Sequence, residues 1–495
     1  MKHNSLLIVD LGTSSVRVFE MGINGEVIWH QQKCYRPEYL DETHIEQDPE
    51  IWLKSLDEIL KNVSGVNNGF EKVLGIVLTA QRSSLIPVDS TGKALRPALM
   101  WQDRRHIQVC ERLKDDYPEI QSITGSHVNT AYSGPKMLWL KENEPEIYER
   151  AYKLLSPAEY LIYGLTGEIK IDQTYASRSL LFDIKRLDWS DYLLETWGLD
   201  RKKLSEIVPP ASVVGEILPK WVERWNLPGR LPLITAGGDQ QCSALGLGMV
   251  EEGDFEITAG TGGYAMTLSS NLPENARGCT INVSGIPGYY VVEGTMLACG
   301  CAFDFFRKLL YPACSYAEID KEMETVEIGS NGIVILPFFQ GSGSPTWSPY
   351  KSADIMGLTL SSTRAEISSA CLEAIACELT DLVRLLESVV KIKASKVSIA
   401  GGLTNNKKFN DSLAALLNIP LIKPIEYESS IYGAFMSGCV ALGIDHSHKE
   451  VKKRINPLVD TERINASSEE AEKYSMVLDR YIRAKSENHI TNIEK

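Results

Sequence analysis

The sequence predicts an α/β protein made of two similar halves, and three observations carry that prediction. A short apolar strand, Leu6 to Asp10, runs through Gly12-Thr13 into a second strand, Val16 to Met21. The same succession returns about 250 residues later, an internal duplication: Glu256-Ile257-Thr258-Ala259, then Gly260-Thr261-Gly262-Gly263, then Tyr264 to Leu268. Finally, 495 residues with 43% hydrophobic side chains bury large cores without disulfide or metal staples.

Taken in order, Leu6-Leu7-Ile8-Val9 is an unbroken apolar run, the pattern of a strand covered on both faces. Val16 to Met21 is rich in β-branched residues, and Asn24-Gly25 is a hairpin signal before Glu26-Val27-Ile28-Trp29. Strand, turn, strand, turn, strand is not a dinucleotide-binding start, which would pass from the glycine turn into a helix. Asp48 to Val63 has helical apolar spacing through Ile51, Leu53, Leu56, Ile59 and Leu60, and Val73 to Leu78 is a buried strand. Pro135 to Tyr163 reads as helical, and Pro209 to Pro232 as loop and small strands. Leu233-Ile234-Thr235-Ala236 is a further strand, ending in Gly237-Gly238-Asp239. Thr363-Arg364-Ala365-Glu366 is a capping box before a helix whose apolar stripe includes Cys371, Ile375, Leu379, Leu382 and Leu386. Val397 to Ala400 is a strand that meets Gly401-Gly402, with a helix following from about Lys408. The last fifty or so residues are charged and helical in texture, and read as a surface appendage.

Charge restricts the partners. With 51 basic against 65 acidic residues, the net of −14 leaves no basic footprint for nucleic acid. The stretch His448 to Arg454 is too short to change that and reads as a solvated helix face. Ten cysteines with no CxxC pair, and no apolar run long enough to span a membrane, point to a reduced, cytoplasmic protein.

Four loops join a buried strand to small residues and a hydroxyl or carboxylate. Asp10-Leu11-Gly12-Thr13-Ser14 offers backbone N–H groups and hydroxyls to an anion, with a carboxylate suited to a divalent cation; alone, it is equally a hairpin with a capping aspartate. Gly260-Thr261-Gly262 suits phosphate, although glycine-rich turns are common. Gly237-Gly238-Asp239-Gln240-Gln241 exposes a carboxylate fit for a general base or, equally, a helix N-cap. Gly401-Gly402-Leu403-Thr404-Asn405 lets a flat ring lie on backbone, or is a plain strand-to-helix turn. No Walker loop, full dinucleotide fingerprint, nucleophile elbow or zinc motif is present.

In this order and spacing, the loops resemble the FGGY family of carbohydrate kinases, in the actin-like ATPase superfamily. Trp101-Gln102-Asp103-Arg104-Arg105, Phe338-Phe339-Gln340-Gly341 and Ser344-Pro345 complete the likeness, which runs from roughly Leu6 to Gly443. The resemblance implies two actin-like (ribonuclease H-like) α/β domains facing an ATP/sugar cleft. Residues 1–244 would bind sugar and 245–445 ATP, with 446–495 a tail. It further implies Mg²⁺ held by Asp10 and Asp239, and Asp239 as general base. Thr13, Ser14 and Arg17 would attend the transferring phosphoryl group, Gly260, Thr261 and Gly262 the nucleotide phosphates, and Gly401, Gly402 and Asn405 the adenine. Gln81, Arg82, Trp101, Tyr132, Asp239 and Gln240 would contact the substrate. Read as residues alone, Arg82 is also a structural partner for Asp103, and Trp101 a core or wall aromatic.

The resemblance implies a small sugar or polyol as substrate. Gln81-Arg82 is similar to the glycerol-kinase segment, but Ser83 stands where those enzymes carry glutamate, and Ala131 aligns with their substrate tyrosine. A roomier pocket points to a ketopentose such as xylulose, with glycerol, a tetritol or autoinducer-2 as alternatives. The competing classes are a non-catalytic ATP- or sugar-sensing protein on the same scaffold, and a filament or chaperone ATPase. Many family members are dimers or tetramers, so the resemblance makes a homo-oligomer the expectation.

Overall fold

The computed structural model describes residues 4–64, 70–114, 116–425, 428–455 and 461–491. The chain forms two compact units. The first contains Met1–Val250, Ile281–Tyr290 and Glu428–Leu458; the second contains Glu251–Thr280, Val291–Tyr427 and Val459–Lys495. The sequence reading drew one boundary near residue 245 and assigned 245–445 to a single domain. Here the chain returns to the first unit with the Ser429–Ala441 and His448–Ile455 helices.

The first unit is built on a six-stranded sheet: β1 (Ser5–Leu11), β2 (Ser15–Gly22), β3 (Val27–Cys34), β4 (Val73–Ala80), β5 (Ser212–Glu216) and β6 (Pro232–Gly238). Their spatial order is β3-β2-β1-β4-β6-β5. β1, β2 and β3 form an antiparallel meander, whereas β4 lies parallel to β1 and β6 parallel to β4. Every residue of β1 is buried, as its unbroken apolar run requires. β3, at the edge, is largely exposed and carries Gln31, Gln32 and Lys33, which blunt an open strand edge. Leu6, Ile8, Val77 and Ile234 pack with Cys242 and Leu245 and with Ile431, Ala434 and Phe435 of the Ser429–Ala441 helix. That helix and the Asp239–Gly246 helix approach closely: a Cβ at Gly433 would lie 1.7 Å from the Cys242 carbonyl oxygen.

The second unit repeats the scheme with β7 (Phe255–Ala259), β8 (Gly263–Ser269), β9 (Tyr290–Met296), β10 (Val397–Ala400), β11 (Leu421–Pro424) and β12 (Thr461–Ile464). These six run β9-β8-β7-β10-β11-β12, repeating the first unit's core order, except that the edge strand β12 follows β11 in the chain whereas β5 precedes β6; a seventh strand, Thr280–Val283, lies outside β9. β7 is antiparallel to β8 and parallel to β10, and β11 is antiparallel to β12. The Arg364–Val390 helix begins with both bonds of the predicted capping box, Thr363 with Glu366.

The charged C-terminal stretch is not the appendage its composition suggested. In the Ser468–Thr491 helix, Tyr474, Leu478, Tyr481 and Ala484 are buried in the second unit's core. His448, Val451 and Ile455 are buried in the first unit, so the His448–Ile455 helix is solvated on one face only. Pro219–Trp225, expected as loop, is a short helix with proline at its start. Among the described residues, no helix is long and apolar enough to cross a membrane.

Candidate functional site

In the first unit, the three parallel strands β1, β4 and β6 end at one edge of the sheet, where α/β sheets present ligand-binding residues. β1 delivers Asp10, β4 leads into Gln81 and Arg82, and β6 leads into Asp239. Residues far apart in sequence meet here because strand register aligns them: Leu11 lies opposite Ala80, and Ala80 opposite Gly238.

Asp10 pairs across the β1–β2 hairpin with Arg17, its register partner, so both side chains leave the same face and form an ion pair. The Ser430 hydroxyl donates to Asp10 Oδ2 at 3.1 Å, and Arg17 also pairs with Glu428. In the turn, the Gly12 N–H donates to the Ser15 carbonyl at 2.9 Å. The Thr13 hydroxyl donates to Gln81 Oε1 at 3.2 Å and accepts from the Trp101 indole at 3.0 Å. Ser14 is exposed at the tip. Trp101 is 40% exposed, so it is not core.

Arg82 is oriented by the start of the Asp239–Gly246 helix. Its Nε lies 3.4 Å from Asp239 Oδ1, its Nη1 donates to Gln241 Oε1 at 3.0 Å, and its Nη2 bonds Gln240. The alternative pairing with Asp103 does not form: Asp103 is engaged by Arg105 and by the Ile45 N–H. Ser83, next along, has φ 68°, a left-handed conformation that costs a non-glycine residue and clusters at functional sites.

Asp239 is the first residue of its helix, with Gly238 at the cap position, and its Oδ1 accepts the Gln240 N–H at 2.8 Å. Its side chain remains 38% exposed. Desolvation raises its pKa, and the nearby Asp10 charge adds to that, against the opposing pull of Arg82 and Arg178.

Arg178 escaped the sequence reading. Its guanidinium stacks 4.4 Å above the Tyr132 ring and donates to the Tyr132 hydroxyl at 3.0 Å. Tyr132 itself is 2% exposed, so Arg178 covers it. Beneath them Lys136, fully buried, donates to the carbonyls of Thr130 and Tyr132, and burial brings its pKa down to about 7. Ser430 was also missed, and neither it nor Arg178 carries a local pattern that marks it; Gln241 lies in the Gly237-Gly238-Asp239-Gln240-Gln241 motif, but its contact with Arg82 was not foreseen.

In the second unit, the β7–β8 turn is held by backbone. The Gly260 N–H donates to the Gly262 carbonyl at 3.0 Å. Cys299 and Cys301 N–H groups donate to Thr261 O at 3.0 and 3.3 Å, and Gly300 N–H to Gly260 O at 2.8 Å. Thr261 is left exposed. β10 ends at Gly401, with φ 97°, where a Cβ would lie 2.5 Å from the Ala259 backbone; only glycine fits. Nothing lies within 4 Å of a Cβ at Gly402. Asn405 accepts from Lys423 Nζ at 3.4 Å. An open glycine floor next to an exposed hydroxyl suits a planar base and phosphates.

The sequence matches the model of the FGGY family of carbohydrate kinases, N-terminal domain, over residues 5–246, and that of the C-terminal domain over 256–442. It is 30% identical to a glycerol kinase 2 of Thermotoga maritima, over 92% of this chain and 95% of that one. With a xylulose kinase of Lactococcus lactis it shares 27% identity over 90% of each. The fold is similar to a ligand-bound xylulose kinase from Lactobacillus acidophilus (TM-score 0.90, 21% identity, 99% of both chains). It is also similar to Plasmodium falciparum glycerol kinase with ADP (TM-score 0.88, 24% identity, 97% of this chain and 98% of that one). The chain therefore belongs to the FGGY family of carbohydrate kinases and is a phosphotransferase with an alcohol group as acceptor.

Proposed function

We propose that this kinase phosphorylates a hydroxyl of a ketopentose such as xylulose, with Mg-ATP as donor and Asp239 as general base. The observation that carries this reading is the group of Asp239, Arg82, Gln240 and Gln241 at the ends of β4 and β6. Phosphoryl transfer asks the protein for positioning, charge neutralisation and a base for the attacking hydroxyl. Asp239, partly exposed and with a raised pKa, accepts the hydroxyl proton. The Arg82 guanidinium holds that carboxylate in place and presents donors to sugar oxygens beside Gln240, with Gln81 and Trp101 joined through Thr13; Tyr132, covered by Arg178, can act only if Arg178 moves.

The residues fit the groups that the reaction needs. Asp10 and Asp239 are hard oxygen donors whose like charges oppose each other, a repulsion that a bound Mg²⁺ would relieve. Thr13, Ser14 and Arg17 serve the phosphoryl group, and Gly260, Thr261 and Gly262 the nucleotide phosphates. Gly401, Gly402 and Asn405 line the adenine, where the absence of side-chain bulk leaves room for a flat ring. Bound Mg-ATP supplies the phosphoryl group.

Glycerol or a tetritol is the second reading, favoured by the 30% identity to glycerol kinases. A coupled ADP-release assay across xylulose, ribulose, glycerol, erythritol and gluconate separates the two. Turnover with a ketopentose, lost in Asp239→Asn, supports the first reading; turnover with glycerol alone overturns it.

A further inference from the structure

The second unit contains a cavity of about 480 Å³ that none of the residues assigned above to sugar or nucleotide lines. Its volume is in the range of small-molecule sites. Phe338, Leu382, Leu385 and Ile482 give it an apolar wall. The acids that reach it are already satisfied: Lys485 Nζ lies 2.8 Å from Glu378 Oε2 and 3.2 Å from Asp381 Oδ2, and the Tyr481 hydroxyl donates to Glu378 Oε1 at 2.8 Å.

Lys351 is different. It also lines the cavity, its residue is only 8% exposed, and its Nζ lies 4.8 Å from the Phe338 ring centre. No hydrogen bond or ion pair to it forms among the described residues; Glu378 is felt only as a charge at a distance. Its Nζ is not fully sealed, so the ammonium keeps solvent access, yet partial desolvation and the charge of Lys485 press against its protonated form. An anion entering the cavity would supply the missing partner, while the apolar wall would receive the rest of the molecule.

We propose that this cavity binds a small organic anion, with its carboxylate or phosphate monoester on Lys351 and its apolar body against Phe338, Leu382, Leu385 and Ile482. This site is separate from the nucleotide turn and from Gly401-Gly402.

The test uses the full chain and three probes of one shape: 4-bromophenyl phosphate, 4-bromobenzoate and 4-bromophenol. Calorimetry is expected to show binding of at least one anion, unaffected by saturating ADP, and none of the uncharged phenol. Whichever anion binds more tightly identifies the headgroup. Lys351→Met should weaken binding roughly 10- to 100-fold, the cost of losing a charged hydrogen-bond partner, and Lys351→Arg should largely restore it. Anomalous diffraction from crystals of the wild-type complex should place bromine between Leu382 and Ile482, which decides the matter even if Lys351→Met fails to fold. The proposal is overturned if neither anion binds, if ADP displaces the probe, if a folded Lys351→Met binds as well as wild type, or if bromine lies elsewhere.

Discussion

The turn after β1 and the turn after β7 occupy the same place in two sheets that share a core strand order, yet they are built from different chemistry. The first is made of side chains: Asp10 paired with Arg17 and Ser430, and Thr13 bridging Gln81 and Trp101. The second is made of backbone: the Gly260 and Thr261 carbonyls accept three N–H groups from residues 299–301, and the Gly262 carbonyl accepts the Gly260 N–H. On the proposed reading, a side-chain cluster would orient specific hydroxyls and move a proton, while a glycine turn would accept phosphates of any attached group. One topology would then serve two tasks, and the difference predicts where each can be broken.

The largest effect is expected from Asp239→Asn. If Asp239 is the base, kcat falls about 10²- to 10⁴-fold, while nucleotide affinity measured by calorimetry is unchanged. An equal loss of nucleotide affinity would show that the two turns do not divide the work in this way. Because the pKa of Asp239 is raised, kcat/KM should also decline on the acid side, as its carboxylate takes up a proton.

The next contrast lies inside the strands. β1 is apolar up to Asp10, whereas β7 carries the buried Glu256, whose Oε2 has no hydrogen-bond partner and whose pKa desolvation lifts from 4.5 to about 7. The native state therefore holds a proton that the unfolded chain releases. Its contribution is fully present below pH 4.5 and is lost as pH rises through 7, amounting to about 3 kcal/mol. Denaturant unfolding of Glu256→Gln from pH 4.5 to 7.5 should lack that fall in stability; an unchanged slope would mean that Glu256 is ionised in the fold.

Gly401→Ala probes the backbone-built site directly. Its Cβ would press on Ala259 in a conformation that alanine resists, at a cost of about 1–3 kcal/mol. The expected result is a raised KM for nucleotide with the sugar KM unchanged. A raised sugar KM instead would blur the distinction between the two turns.

The sequence made the two turns legible because each lies between apolar strands and announces itself through Gly, Thr and Asp. The capping box at Thr363 was legible for the same local reason. Arg178 and Ser430 were not, because they are recognised only through partners 46 and 420 residues away and by no local spacing. The Ser468–Thr491 helix hid its role differently. Tyr474, Leu478 and Tyr481 fall at helical spacing, but surrounding charge lowered the apparent hydrophobicity of a stripe that is in fact core. The return of residues 428–458 to the first unit left no signature, since helices that close one sheet have the same composition as helices that close the other.

The smallest predicted effect separates the two modes of construction most cleanly. Ser430→Ala removes its hydrogen bond to Asp10 and the one it accepts from Arg17 Nη2 at 3.2 Å, while the Arg17–Asp10 ion pair remains, so it should cost about 1 kcal/mol and a few-fold in kcat/KM. Arg17 is also tied to Glu428, beside Ser430. If that shared anchorage orients Asp10, Ser430→Ala and Glu428→Gln will be non-additive in a double-mutant cycle read by kcat/KM. Additive effects would mean that Arg17 alone sets Asp10. No matching cycle exists for the second turn, because its bonds come from the N–H groups of Cys299, Gly300 and Cys301, which side-chain truncation leaves intact. Alanine substitution should therefore wear down the first turn step by step, whereas the second should yield only where a glycine is given a side chain.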